Sequence, residues 1–170
     1  MSDVDAAFTT FVQLSGSRSL RLAVLLAGDV GAGQDLLQSV HEQLYKRWRR
    51  HGSPDAPEPY VRKALVNAAT KSRLRGMRVR ETPVSELPEG GSYEIGSGIL
   101  LREHLLPALK RLSARQRSVL VLRYFADLSE AETADQLGCT VGTVKTLASR
   151  ALRRLREDPI LAAAMSTTEA

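Results

Sequence analysis

The chain has 170 residues, enough for one medium domain or two small ones, and its 24 lysines and arginines exceed its 19 aspartates and glutamates, leaving a net charge of +5. A single cysteine, Cys139, excludes an internal disulfide and any multi-cysteine zinc site. No apolar run approaches the roughly 20 residues that cross a bilayer, and the start lacks the cationic opening and apolar core of a secretion signal, so a cytoplasmic protein without membrane insertion is expected.

The positive charge is unevenly spread. Eleven bases face seven acids before residue 76, and eleven face six between residues 99 and 157, while the stretch between them is slightly acidic. Two basic bodies joined by a non-basic connector suit a protein that holds nucleic acid at two sites.

Taken from the start, Asp3 to Gln13 and Leu20 to Ala27 are helical by pattern, with a bend expected at Ser15-Gly16-Ser17. Phe8, Phe11, Val12, Leu22, Leu25 and Leu26 supply core. Gly28, Gly31 and Gly33 follow, but no strand precedes them and neither GxGxxG nor GxxxxGK[ST] is present, which argues against a nucleotide loop. Asp35 to Arg50 repeats Leu36, Leu37, Val40, Leu44 and Trp48 at helical spacing, leaving Asp35, Gln38, Glu42 and Lys46 outward or at the flanks. Lys46, Arg47, Arg49 and Arg50 cluster around Trp48 before His51-Gly52-Ser53-Pro54 ends the helix. After a loop from Ser53 to Pro59, a helix from Tyr60 buries Val61, Leu65, Ala68 or Ala69, and Leu74. Its outer side carries Arg62, Lys63, Asn67, Lys71, Arg73 and Arg75, a polar and cationic face suited to nucleic acid.

Residues 76–98 change character, with prolines, glycines, serines and glutamates and little periodic apolar content. A connector of that length is unusual inside one compact domain and predicts a linker between two. Ile99 to Leu112 and Ala114 to Phe125 then read as helices, with Pro107 able to kink the first. Ser129 and Glu132 have the spacing of a capping box opening a helix whose inner face is Ala131, Ala134 and Leu137. Gly138 marks the turn, where glycine leaves helical dihedrals without a Cβ clash. Thr140 caps a second helix with Val141, Val144, Ala148, Ala151 and Leu155 along its buried stripe. Its outer face holds Thr143, Lys145, Thr146, Ser149, Arg150, Arg153 and Arg154, and hydroxyls with cations in that arrangement fit a helix laid in a major groove. On spacing alone, a solvated amphipathic helix pair explains the pattern as well. Cys139, in the turn, reads as a small packing residue or a redox-sensitive thiol.

The residues around that pair shift the balance. Leu112, Arg115-Gln116-Arg117, Val119 to Phe125, Leu128-Ser129, Ala134, Leu137-Gly138, Val141 to Lys145 and Ser149 to Ala151 closely resemble region 4 of the extracytoplasmic-function (ECF) sigma factors of bacterial RNA polymerase. Two positions depart: Ser113 stands where a proline is frequent, and Leu147 where an arginine often follows, which implies one DNA contact fewer. Asp35, Leu36, Gln38 and Trp48 resemble region 2.2, with Gln34 where an acid is common, and the helix from Tyr60 resembles regions 2.3 and 2.4. Asn67 matches that family's asparagine, while Lys71 stands where an aspartate is common.

The resemblance implies an all-α chain of two small helical domains. Residues 1–75 would be region 2, residues 76–98 a flexible linker, residues 99–158 region 4, and residues 159–170 a frayed tail. It implies an alternative sigma factor that binds core RNA polymerase and directs promoter-specific initiation. Asp35, Leu36 and Gln38 would meet the β′ clamp helices, and region 4 the β flap. Arg50, Tyr60, Arg62, Lys63, Asn67 and Lys71 would melt and read the -10 element, with the loop after Arg50 holding an unstacked base. Thr143, Thr146, Ser149 and Arg150 would read the -35 element, with Lys145, Arg153 and Arg154 on phosphates. Short members of the family are commonly held inactive by an anti-sigma factor, a candidate partner here. The rival readings are a stand-alone helix-turn-helix regulator and an adaptor that binds polymerase or an anti-sigma factor without reading DNA.

Nothing in the sequence predicts catalysis, a metal or a cofactor. His41-Glu42 opens like a zincin helix, but Tyr45 occupies the second ligand position. His51 and His104 lack acids or cysteines at ligand spacing, and no nucleophile motif occurs.

Overall fold

The structure, a computed structural model, describes residues 2–74 and 101–168, and the described elements are all helical. The chain divides between Thr82 and Pro83 into two compact units. The expected linker, residues 76–98, lies outside the described residues.

The first unit is built from three helices: α1 (Asp3–Ala27), α2 (Val30–His51) and α3 (Pro57–Leu74). Each packs against the other two. A capping box opens α1, with the Ser2 hydroxyl accepting from the Asp5 N–H and the Asp5 carboxylate accepting from the Ser2 N–H. The same carboxylate accepts a hydrogen bond of 2.7 Å from the Tyr45 hydroxyl of α2. That bond, foremost among its causes, holds the Asp5 carboxyl below the usual range. The bend expected at Ser15-Gly16-Ser17 is absent, and α1 runs unbroken through it. Ser15 is buried and its hydroxyl donates to the Phe11 carbonyl at 2.7 Å, which satisfies the polar group without breaking the helix.

Gly28 ends α1 at φ 72°, and Asp29 caps α2 by accepting from the Ala32 N–H at 2.8 Å. The second helix therefore begins five residues earlier than its apolar repeat suggests, and takes in Gly31 and Gly33. Gly33 is the point of closest approach: a Cβ there would lie 2.5 Å from the Cα of Val24. The core of the unit holds Leu25, Leu26, Val40, Leu44, Val61, Leu65 and Val66, all at or below 2 % exposure. Burying each such side chain contributes about 1.5–3 kcal/mol. Trp48 is core, with the Phe8 and Phe11 rings each 5.4 Å away, while Leu36 is only half-buried. The third helix begins at Pro57, three residues before Tyr60, because proline is well suited to a first helical position.

The second unit opens with a π-helical turn, Leu101–Leu105, leading into α4 (Leu106–Arg111). The irregularity sits where Pro107 withholds an N–H from the helical ladder. Next come α5 (Ala114–Leu120), continued by a π-helical segment Val121–Phe125, then α6 (Glu130–Leu137), α7 (Val141–Arg156) and α8 (Pro159–Thr168). Ser113 caps α5 in a box with Gln116, so this departure from the family's proline supplies its own helix start. Leu109, Leu112, Val119, Val121 and Leu122 form the core with Val144 and Ala151 of α7. Arg117, 4 % exposed, donates to the Leu109 carbonyl at 3.1 Å.

Within the tail, residues 159–168 are helical: Pro159 opens α8, which packs against α7 and the π-helical turn. Asp158 is the reason. Its carboxylate accepts from the N–H groups of Ile160 at 3.0 Å and Leu161 at 3.1 Å and pairs with Arg111 of α4. Burial pushes its carboxyl up, but the Leu161 N–H, the Arg111 guanidinium and the Ile160 N–H outweigh burial and hold it below the usual range.

Two outcomes follow from these contacts. Gly33→Ala should cost about 1–3 kcal/mol in urea unfolding, because α1 and α2 must separate to admit the methyl group. For Asp158 the folded pKa lies below the unfolded one, so its stabilisation is present above the unfolded value and is lost as pH falls through the folded value. Asp158→Asn should therefore melt lower than wild type at neutral pH, and the gap should close as pH falls below about 4.

Candidate nucleic-acid interface

The interface is assembled on α6, the turn after it, and α7. Ser129 Oγ accepts from the Glu132 N–H at 3.1 Å while Glu132 accepts from the Ser129 N–H at 2.7 Å, so the capping box closes in both directions. At the far end Gly138 adopts φ 61°. Its N–H reaches the Asp135 carbonyl at 3.3 Å and the Cys139 N–H reaches Ala134 at 3.0 Å, the paired closure of a Schellman motif. Cys139 then packs, half-buried, on the cluster of Val119, Ala134 and Val144. Thr140 caps α7 by accepting from the Thr143 N–H at 3.1 Å.

Two assignments to the buried side are corrected. Ala131 is exposed, and the inner position of α6 is taken by Thr133, at 0 % exposure. Val141 is also exposed, because the first turn of α7 lies beyond the reach of the cluster, which begins to cover the helix at Val144. Leu147 packs against the same cluster, so its side chain belongs to the core rather than to the outer face.

That outer face is otherwise as expected. Lys145, Thr146, Ser149, Arg150, Arg153 and Arg154 are exposed, and Thr143 is half-buried with its hydroxyl 2.9 Å from that of Thr140. Thr146 Oγ1 donates to the Gly142 carbonyl at 3.0 Å, which leaves its lone pairs free to accept. Two contacts were not legible in the sequence. Lys145 Nζ lies 3.7 Å from the Glu130 carboxylate of α6, and Arg154 donates to Gln116 of α5 at 3.4 Å. Both pair residues far apart in sequence, which no helical period connects.

In the first unit, Arg50, Tyr60, Lys63, Asn67 and Lys71 are exposed and Arg62 is half-buried. Arg50 lies in the last turn of α2, and the others on α3. Arg47, read from sequence only as one of a cationic cluster, holds its guanidinium 5.4 Å from the Tyr60 ring centre and so links these two helices. Asp35 and Gln38 are exposed on α2, Leu36 is half-buried, and Gln38 donates to Glu42 at 3.4 Å.

Among the described residues no group of three or more His, Cys, Asp or Glu could hold a metal ion, and no helix is long and apolar enough to cross a membrane.

The capped pair, its glycine turn and the cationic outer face of α7 define a helix-turn-helix module. Comparison with known proteins agrees. The family model for sigma-70, region 4, matches residues 102–155. RNA polymerase sigma-E factor of Streptomyces coelicolor is 36 % identical over 151 residues, covering 89 % of this chain and 85 % of that one. ECF RNA polymerase sigma factor SigL of Mycobacterium tuberculosis is 30 % identical over 144 residues, covering 80 % and 79 %. Among solved structures, the sigma factor RpoE of Bartonella quintana, crystallised with the anti-sigma factor NepR, superposes with a TM-score of 0.64 at 23 % identity, covering 89 % of this chain and 95 % of that one. The chain belongs to the ECF family of RNA polymerase sigma factors.

The Thr133 hydroxyl has no hydrogen-bond partner. Thr133→Val, which exchanges that hydroxyl for a methyl group of the same shape, should raise stability by about 1 kcal/mol in denaturant unfolding, with the face of α7 unchanged.

Proposed function

We propose that this chain is an alternative sigma factor that binds core RNA polymerase and directs initiation at promoters read by its two units, acting by binding rather than by catalysis. The observation that carries the reading is α7: doubly anchored at its start, buried along one stripe, and exposing Lys145, Thr146, Ser149, Arg150, Arg153 and Arg154 along the other. In a chain of this family that face is suited to the -35 major groove. Ser149, Thr146 and Arg150 meet base edges, while Lys145, Arg153 and Arg154 meet phosphates and make binding salt-dependent. Thr143, half-buried and engaged with its cap, contributes less.

Residues 1–75 then act as region 2. Asp35, Leu36 and Gln38 lie on the helix that meets the β′ clamp helices. Arg50, Tyr60, Arg62, Lys63, Asn67 and Lys71 take the -10 element. Extracting a base from the stack costs a few kcal/mol, and an aromatic ring beside cations offsets part of that without ATP. Residues 76–98 serve as the linker and residues 99–158 as region 4, which meets the β flap. The expected location is the cytoplasm, and an anti-sigma factor is a candidate partner. The packing of Leu147 against the core weighs against the adaptor reading, since a leucine that faces inward there takes nothing away from the outer face.

Run-off transcription with core polymerase on a genomic promoter library tests the proposal. New, sequence-defined start sites that appear only with this protein are the expected result; specific DNA binding without core binding would instead identify a stand-alone regulator. Arg150→Ala should cost about 1–3 kcal/mol in promoter recognition while leaving core binding intact.

A further inference from the structure

Between Val141 and Arg156, α7 carries five cations and no acid of its own. The negative charge that does reach this face comes from α6. Glu130 and Glu132 both stand in its first turn, where the helix dipole favours acids, but their carboxylates are committed differently. Glu132 is held by the capping box at 2.7 Å from the Ser129 nitrogen. Glu130 points to the reading helix and lies 3.7 Å from Lys145 Nζ. The pair is part-exposed, with the lysine side chain 63 % and the glutamate side chain 40 % accessible, so the lysine can leave its partner without crossing a packed interior.

We infer that Glu130 is an intramolecular competitor for DNA: its carboxylate occupies Lys145 in the free protein and must be displaced before that lysine can engage the duplex. This rests on the reading above, in which α7 lies on DNA. The effect is on affinity rather than on base preference, because any duplex that recruits Lys145 must first break the same pair. An exposed ion pair of this kind shifts an equilibrium by about 1.5- to 5-fold. Separation of the charges is well inside the screening length at about 0.1 M salt and comparable with it at about 1 M, so the competition fades as salt rises.

The test uses the full chain and a fluorescent duplex of mixed sequence, with anisotropy titrations of wild type, Glu130→Gln, Lys145→Ala and the double variant, each checked by circular dichroism for native helix content. Glu130→Gln should bind about 1.5- to 5-fold more tightly at low salt, with the gain shrinking at high salt and vanishing when Lys145 is alanine. Three results overturn the inference. If Lys145→Ala weakens binding but Glu130→Gln changes nothing, Lys145 meets DNA and Glu130 does not compete. If the gain persists in the double variant, Glu130 acts by general repulsion of phosphates and not through Lys145. If Lys145→Ala binds like wild type, the placing of that residue on DNA fails, and the competition fails with it.

Discussion

The cationic outer face of α7 depends on one buried contact, Val144 against Val119 and Ala134. Val144 is at 0 % exposure one turn into the helix, and it fixes the rotation of α7 about its own axis. With that rotation set, residues 145, 146, 149, 150, 153 and 154 fall outward together because they are separated by one, three or four positions. A shift of a single residue would carry Lys145 into the place of Val144 in one direction, or Arg150 into the place of Ala151 in the other, and either would bring Val144 out. The orientation of that outward face and the stability of the unit therefore follow from one packing event.

The turn in front of α7 makes the contact reproducible. Gly138 at positive φ and the two carbonyl closures of the Schellman motif leave few ways for the chain to leave α6. Cys139 then lands on the cluster as an apolar anchor. A thiol in that place behaves first as packing. The first unit solves a similar problem by removing side-chain volume: Gly33 lets α1 and α2 approach backbone to backbone, and the aromatic residues Phe8, Phe11 and Trp48 fill the wider end of the same interface.

Much of this was legible in the amino-acid order. The capping box at Ser129, the glycine turn, the Thr140 cap and the helical class rest on local rules that hold wherever the residues occur, and each is found in place. What was misread depends on distance in space. Helical period alone placed Ala131 inside and left Thr133 aside, since threonine is not counted among apolar residues even when it is fully buried. Ser15-Gly16-Ser17 looked like a break because the burial that keeps α1 intact comes from elsewhere in the fold. Leu147 looked like a gap in the outer face when judged by its place in a family pattern, yet its neighbours make it core. The tail looked irregular because Asp158 is ordinary in sequence, and its partner Arg111 is 47 residues away.

Asp158 gives the second unit a property of a keystone. One carboxylate follows the end of α7, starts α8 and answers a guanidinium on α4. A fusion joint or protease cut placed just after Arg156 would look harmless on a map of the helix-turn-helix, since every outward residue of α7 precedes it. It would nevertheless leave Arg111 without its counter-charge and strip α8 from the π-helical turn, loosening the scaffold around α4 rather than the outer face of α7. The boundary of the smallest self-sufficient helix-turn-helix unit therefore lies beyond α8, not at the end of α7.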